Sequence, residues 1–189
     1  MRHGRIHWYS PDELGPEQRA IYDGVVAKYG SEPAFELFDE QGRLHGPFNA
    51  MLAAPGVGAA LQGLSAAVGA RTTLPARVRE IVVLSVATAR ASAFEWSVHR
   101  RLAREAGLTE AEIAALGGHA VPEAFGPSDR AALDYARALL RDRDASEACH
   151  AAAEEHFGEA GVVELITLVG YYDMLATMLR ALDVPLPPG

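Results

Sequence analysis

The chain has 189 residues, of which 49% are hydrophobic and 22% charged, and this is the composition of an ordinary folded protein. Its 17 Lys and Arg residues against 25 Asp and Glu residues give a net charge of −8, which argues against a general nucleic-acid binder. The single cysteine, Cys149, excludes an intramolecular disulfide and a dithiol redox motif within the chain. Neither a secretory signal nor a membrane-spanning apolar run is apparent, so we expect a soluble, cytoplasmic protein without membrane or nucleic-acid partners.

Helix signals follow one another along the first half of the chain. Ser10–Glu13 reads as a capping box, with apolar helix positions continuing to Val26. Residues 31–47 are rich in Gly and Pro and predict an ordered loop. From Phe48 to Ala67 an Ala-rich helix resumes, interrupted at Pro55.

The second half begins with the strongest helix signal. Residues 76–90 carry apolar side chains at helical spacing around most of the helix, which predicts a central, buried element. Further helices are predicted over about 93–106 and over about 159–181. Three others are predicted to start at the capping box of Thr109 and at the capping residues Ser128 and Ser146.

These elements predict an all-α fold, because alternating β patterns are nearly absent. We expect one domain over 1–189, with an N-terminal extension of about 1–45 and a core of about 46–185. Arg79–Leu84 resembles Val163–Leu168, with one Glu in the same phase. Either two similar helical halves share a core, or two buried helices happen to look alike.

Glu80 is an acidic residue inside the most apolar segment of the chain. A buried carboxyl group must find a partner or take up a proton, and either state suits a general acid or base. The alternative is that Glu80 points outward, or pairs with Arg77, Arg79 or another arginine.

Glu95 and His99 stand four residues apart, so on a helix their side chains lie on one face. A carboxylate beside an imidazole forms an acid–base couple and fixes the ring tautomer. Such a pair is also common as surface decoration, but Phe94 and Trp96 beside it predict a less solvated helix. The expected break at residues 90–93 would fold the Glu80 helix back beside His99.

The run LPARVREIVVLSVATARASAFEWSVHRRLAREAGLTEAEI resembles the signature of the carboxymuconolactone decarboxylase-like family, which includes the alkyl hydroperoxidase D proteins. Further similarity begins at GPFNAML and extends to GVVELITLVGYYDML. The resemblance implies a helical bundle of the alkyl hydroperoxidase D type. It also implies a homo-oligomer, a trimer or a hexamer.

The peroxidase branch of that family carries Cys-x-x-Cys-x-x-x-His, with a Glu twelve residues before the first Cys. In this chain those positions hold Ser92, Glu95, His99 and Glu80, so both thiols are missing. A thiol peroxidase needs a thiolate to attack and a second thiol to resolve the disulfide. We therefore do not expect dithiol peroxidase activity.

The decarboxylase branch needs no thiols, metal or organic cofactor, so the resemblance implies a cofactor-independent lyase acting on a small carboxylated lactone or related enolisable acid. In this interpretation His99 donates the proton, Glu95 orients His99, and Glu80 is a second acid–base group or organises a water molecule. We expect Phe48, Trp96 and Tyr172 to form walls of the substrate pocket. The sequence does not identify the arginine that would bind the substrate carboxylate.

Two other functions remain open at this point. One is an isomerase, hydrolase or cyclase that uses the same acid–base residues. The other is a non-catalytic helical oligomer in which Glu80, Glu95 and His99 form a buried structural network. Among the remaining histidines, His3 and His7 are expected to be solvated, and no spacing typical of a metal site is found.

Overall fold

The computed structural model describes residues 1–31 and 35–186. The predicted loop and the Pro-rich end therefore lie partly outside the described residues. In the described part the chain forms a short β-hairpin, one 3₁₀ turn (Pro11–Glu13) and the following helices: α1 (Pro16–Tyr29), α2 (Pro47–Ala53), α3 (Pro55–Ala70), α4 (Ala76–Ala89), α5 (Ala93–Glu105), α6 (Glu110–Gly117), α7 (Pro127–Asp142) and α8 (Glu147–Ala181). The all-α prediction is confirmed, with the hairpin as a small addition.

The chain divides into two compact units. One comprises Met1–Gly69 together with Thr177–Gly189, and the other comprises Ala70–Ala176. The division falls at the last residue of α3 and again within α8. The single domain with a core of about 46–185 stays a prediction. Both copies of the weak internal repeat lie in the second unit, one in α4 and one in α8.

The first unit is built around α1, α2 and α3. Strands β1 (Arg2–His3) and β2 (Ile6–His7) pair antiparallel. Asn49 of α2 is fully buried; it accepts a hydrogen bond from the amide of Tyr9 at 3.1 Å and donates one to the carbonyl of His7 at 2.9 Å. These two bonds hold the N-terminal segment against α2. The same unit has its own apolar core, comprising Ile21, Val25, Leu37, Leu44, Phe48, Met51, Leu52 and Leu61.

His3 is buried, contrary to the expectation that it is solvated. Its side chain is 1% exposed, and its ring lies 4.8 Å from Trp8 and 5.6 Å from His45, measured between ring centroids. Burial, and next to it the charge of His45, lowers the pKa of His3 to about 4. His7, by contrast, is exposed and contacts Glu13, in agreement with the prediction. The hairpin explains the difference. His7 pairs with Arg2, the residue before His3, and successive residues of a strand face opposite sides, so His3 and His7 lie on opposite faces.

The second unit is arranged around α4. Every residue from Ile81 to Ala87 is buried, and α5, α6 and α7 all pack against this helix. The prediction of a central helix is therefore confirmed. Ile81 and Leu84 belong to the core cluster of this unit, together with Ala103, Leu108, Ile113, Leu116, Phe125 and Leu133.

A polar contact network ties α4 to the helices around it. Arg77 bridges two carboxylates: its Nη2 lies 2.5 Å from Glu112 Oε1 and its Nε lies 2.9 Å from Asp129 Oδ2. Glu112 also closes the capping box of α6, because its carboxylate accepts from the amide and hydroxyl of Thr109. Arg77 is therefore committed to α6 and α7, which removes it as a partner of Glu80.

The helix termini follow the predicted signals with two exceptions. The box at Ser10 closes only a 3₁₀ turn, and α1 starts later, at Pro16. Helix α7 is capped by Gly126 with Pro127 in its first turn, so Ser128 lies inside the helix rather than at its cap. Gly158 is a non-helical residue inside α8, with φ at 66°, directly before the helix that was predicted over about 159–181.

In the described part of the chain, α8 is the helix that is long and apolar enough to cross a membrane by length and composition. Within its most apolar window 44% of the residues are buried in the protein. The core helix of a soluble protein passes the same test, so this observation is weak evidence for a membrane span.

The buried His3 predicts a stability change in acid. Its folded pKa of about 4 lies below the ordinary 6.5, so between these values the unfolded chain binds more protons than the folded one. Neutral His3 therefore adds about 3 kcal/mol to the free energy of unfolding above pH 6.5, and this contribution is lost as the pH falls through 4. In a Trp96→Phe background, urea unfolding followed by Trp8 fluorescence measures this loss.

The control is His3→Gln in the same background, which keeps a hydrogen-bond acceptor but cannot titrate. We expect this variant to show a weaker dependence of unfolding free energy on pH between 4 and 6.5. Equal slopes in the two proteins would contradict the assignment.

Candidate active site

The turn between α4 and α5 brings the candidate residues into one unit of the fold. Ala91 adopts a positive φ of 50°, and the amide of Ser92 donates to the carbonyl of Ala87 at 2.8 Å. This compact turn ends α4 and lets α5 pack against it. Glu80 on α4 and His99 on α5 thereby come together across the two helices, as the sequence predicted.

Glu80 and His99 form a direct hydrogen bond. Nδ1 of His99 lies 2.8 Å from Oε2 of Glu80, and the side chains of His99 and Glu80 are 12% and 13% exposed, respectively. An ionised carboxylate only accepts hydrogen bonds, so Nδ1 carries a proton whenever Glu80 is charged. The contact leaves Nε2 as the ring nitrogen available for proton transfer, since Glu80 engages the other one.

This contact decides between the alternatives for Glu80. The side chain does not point outward, and neither nearby arginine is its partner. Nη1 of Arg79 donates to the carbonyl of Leu74 at 2.9 Å, while Arg77 binds the carboxylates of α6 and α7. Glu80 is thus the carboxylate of the imidazole couple.

Glu95 lies in a different environment. It is 3% exposed, and neither carboxyl oxygen has a hydrogen-bond partner among the described residues. Burial raises the pKa of Glu95 to about 7; Ser92 and His99 oppose this shift and Asp173 adds to it. A carboxyl group with this pKa exchanges its proton near neutral pH, which suits acid–base chemistry.

The sequence assigned the orienting contact to the wrong carboxylate. It expected Glu95 to hold His99, because the two residues stand four apart on α5. In the structure Glu80 accepts the hydrogen bond of His99, whereas Glu95 acts on the imidazole only through its charge. Helical spacing places two side chains on one face but does not make them bond.

Helix α8 contributes two further residues beside this pair. The ring of Tyr172 meets the imidazole of His99 edge-on, with centroids 4.9 Å apart and planes at 86°. The neighbouring Asp173 binds Arg90 through Oδ1, and its Oδ2 accepts from Nη1 of Arg143 at 2.8 Å. Burial alone would raise the pKa of Asp173, but the two guanidinium groups outweigh it and lower the pKa.

The other two predicted pocket residues lie elsewhere. Trp96 packs against the core cluster of the second unit, and its ring fills the space beside Gly117 of α6. Phe48 belongs to the core of the first unit, where its ring contacts Tyr29 and Phe35 at 5.1 and 6.1 Å. Their role as substrate walls stays a prediction.

The Arg90–Asp173 pair is the part of this region that sequence reasoning missed. The two residues are separated by 83 positions, and no local pattern connects them. Arg90 has one recognisable signal, its place at the end of a buried helix, where a cation interacts favourably with the last carbonyls. The partner Asp173 has no such signal.

The described residues include side chains of the types that bind metal ions, and one thiol. Among the described residues, no group of three or more His, Cys, Asp or Glu side chains could hold a metal ion. Cys149 lies in α8, where burial, with Asp134 next, raises the pKa of its thiol. A raised pKa reduces the thiolate fraction and hence the reactivity of this cysteine.

Comparison with known protein families gives a match over part of the chain. The profile of the carboxymuconolactone decarboxylase family matches residues 55–138, which include α4, α5, α6 and the acid–base residues. Over this stretch the chain is similar to that family. No curated protein matches the chain in sequence.

Solved structures show the same fold at low sequence identity. An alkylhydroperoxidase AhpD core protein from Ralstonia eutropha, an uncharacterized peroxidase-related protein, is 16% identical with a TM-score of 0.79; the alignment covers 100% of this chain and 94% of that one. A protein of unknown function from Agrobacterium tumefaciens is 19% identical with a TM-score of 0.68, covering 75% and 97%. The debrominase Bmp8, bound to 2,3,4-tribromopyrrole, is 15% identical with a TM-score of 0.69, covering 90% and 86%.

The environment of Glu95 predicts a stability change near neutral pH. Its folded pKa of about 7 lies above the ordinary 4.5, so between these values the folded protein binds more protons than the unfolded chain. Neutral Glu95 therefore adds about 3 kcal/mol to the free energy of unfolding below pH 4.5, and this contribution is lost as the pH rises through 7. Glu95→Gln keeps the neutral shape and should escape this loss.

Urea unfolding followed by far-ultraviolet circular dichroism at pH 5 and pH 8 measures the difference. The matched control is Glu105→Gln, an exposed carboxylate on the same helix, which should leave the wild-type slope unchanged. A Glu95→Gln protein whose stability changes with pH as the wild type does would refute the assignment.

Proposed function

We propose that this protein is a cofactor-independent acid–base enzyme that removes carbon dioxide from a small carboxylated lactone or a related enolisable acid. The observation that carries the proposal is the Glu80–His99 hydrogen bond, with the buried carboxyl group of Glu95 beside it. The family of residues 55–138 supports the class of reaction. The low-identity structural neighbours support only the fold.

The reaction needs an electron sink and a proton. The bond between the substrate carbon and its carboxylate breaks, and the electron pair moves into the conjugated carbonyl group to give an enolate. Nε2–H of the His99 imidazolium then protonates the carbon, and the ring regains its proton from solvent. One proton is consumed for each carbon dioxide released.

The contacts suggest distinct roles for the residues. Glu80 is a positioning residue: its hydrogen bond to Nδ1 fixes the tautomer and the orientation of the His99 ring. Glu95 is a second acid–base group whose ionisation near neutral pH adds negative charge close to the ring. Tyr172 provides an apolar wall beside His99. Phe48 and Trp96 remain further candidates for the substrate pocket.

Other reactions could use the same residues. An isomerase, hydrolase or cyclase also needs a proton donor and acceptor in one place, and release of carbon dioxide distinguishes a lyase from all three. A non-catalytic oligomer would show no turnover at all. Dithiol peroxidase activity is not expected, because Ser92 and Glu95 stand where the peroxidase branch has cysteines.

To test the proposal, purified protein is screened against γ-carboxylated butenolides and β-keto acids, with carbon dioxide release as the readout. His99→Ala should lower turnover by about 10²–10⁴-fold, the usual contribution of a general acid. Glu80→Gln should lower it less and shift the pH profile of turnover, because the variant imidazole loses its carboxylate partner.

Two surface variants serve as controls. His156→Ala removes an exposed histidine, and Glu105→Gln removes an exposed carboxylate; both should keep full activity. Full activity in His99→Ala would reject the proposed chemistry. Turnover without carbon dioxide release would instead favour the isomerase, hydrolase or cyclase.

We also propose that the protein works as a cytoplasmic homo-oligomer, as the family resemblance implies. Val163 and Ile166 on α8 are 59% and 45% exposed, and exposed apolar side chains on one helix suit a contact with a second copy. Light scattering after size exclusion should give the mass of a trimer or hexamer. Val163→Glu should shift that mass downward, and a wild-type monomer would contradict the proposal.

A further inference from the structure

A cleft of about 400 Å³ opens in the second unit among α4, α7 and the turn that follows α6. Its lining combines cations with apolar side chains: Arg90, Arg137, Arg141, His119, Leu116 and Leu140. None of Glu80, Glu95 and His99 is among the lining residues. The cleft is therefore a feature separate from the acid–base residues.

Two arginines of α7 face this cleft one helical turn apart. Arg137 and Arg141 have the i, i+4 spacing at which like charges destabilise a helix. Arg137 donates from Nη2 to the carbonyl of Ala120 at 3.0 Å, and no carboxylate among the described residues pairs with it. Arg141 pairs with its neighbour Asp142, at 71% and 51% side-chain exposure, a geometry that stabilises little. An anion between the two guanidinium groups would offset their repulsion.

A third cation lines the cleft at a fixed position. Arg90 ends α4, and its guanidinium binds Asp173 and the carbonyl of Leu140. These contacts hold its guanidinium group in place. The pairing also means that Arg90 contributes less net charge to the cleft than Arg137 does.

His119 reaches the cleft from a strained backbone position. Its φ is 59°, in the left-handed region that residues other than glycine seldom adopt. The turn is held by the amide of His119 donating to Leu116 at 3.1 Å and the amide of Ala120 donating to Ala115 at 2.8 Å. Such conformations cost free energy and cluster at functional sites. Here the turn puts an imidazole beside the arginine pair.

From this arrangement we infer that the cleft binds a small organic anion: a carboxylate or phosphate head between Arg137 and Arg141, with an apolar body against Leu116 and Leu140. Guanidinium groups recognise both kinds of head by paired hydrogen bonds. A volume of about 400 Å³ lies within the range of small-molecule sites. The ligand is an additional one, because the reacting residues lie outside the cleft.

Isothermal titration of the full-length protein at low salt tests the inference with four probes. Benzoate and phenyl phosphate carry both the head and the apolar body, inorganic phosphate carries only the head, and benzyl alcohol carries only the body. We expect the first two to bind at least tenfold more tightly than the last two. Arg137→Gln should weaken both by at least tenfold.

Two control variants show whether binding belongs to this cleft. Arg101→Gln removes an exposed arginine of α5 that pairs with Glu105, so it controls for loss of net charge and should bind as the wild type does. His99→Ala should also keep full affinity, which distinguishes failure here from failure of the proposed reaction.

Three results would overturn the inference. They are no binding of benzoate or phenyl phosphate, equal affinity in wild type and Arg137→Gln, and equal affinity for inorganic phosphate and phenyl phosphate. The last would mean that the arginines attract any anion and that the apolar lining plays no part. Unchanged circular dichroism of Arg137→Gln confirms that a loss of binding is not a loss of fold.

Discussion

Burial of α4 on nearly every side is the constraint on which the second unit depends. The seven consecutive buried residues Ile81–Ala87 require helices around the whole girth of α4, and α5, α6 and α7 provide them. Charged side chains at the start of this helix then need partners, because an unpaired charge there would be partly desolvated. Arg77 finds two carboxylates, and Glu80 finds an imidazole. The acid–base pair is thus a consequence of packing as much as of chemistry.

The two glutamates of the site show how environment separates similar groups. Glu80 has a hydrogen-bond partner and retains some contact with solvent, so its charge is compensated. Glu95 is more deeply buried, and among the described residues nothing hydrogen-bonds to it, so its neutral form is favoured up to about pH 7. Carboxyl groups whose environments differ in this way commonly divide acid and base roles between them. The division supports chemistry over a purely structural network.

Helical periodicity and capping residues predicted the second unit well. The bounds of α4 and α5 were predicted within one residue, because apolar positions at helical spacing mark α4 and a break was expected at residues 90–93. The convergence of Glu80 with His99 followed from the short turn between those helices. Contacts that no local pattern encodes were not predictable, among them the Arg90–Asp173 pair and the arginine cleft.

The first unit was predicted less well from the sequence. Each of its strands has two residues, too few for an alternating pattern, so the hairpin and the burial of His3 were missed. The choice of Glu80 over Glu95 as partner of His99 was missed for a related reason. Spacing along a helix restricts which side chains are near each other, but the neighbouring helix decides which of them bond.

The positions where the peroxidase branch carries cysteines give the strongest argument about chemistry. Ser92 lies at the start of α5, where the helix dipole would favour a thiolate, but a serine hydroxyl does not ionise there at physiological pH. Glu95, which is 3% exposed, stands at the second position. Burial there would disfavour a thiolate. For the carboxyl group of Glu95, the same burial raises the pKa and makes it a weak acid. The Glu80–His99 pair lies between α4 and α5 in this chain. Without the two thiols, electron transfer through a disulfide at these positions is not possible. The groups that stand there are suited to moving protons, and this is the physical ground for the acid–base reaction proposed above.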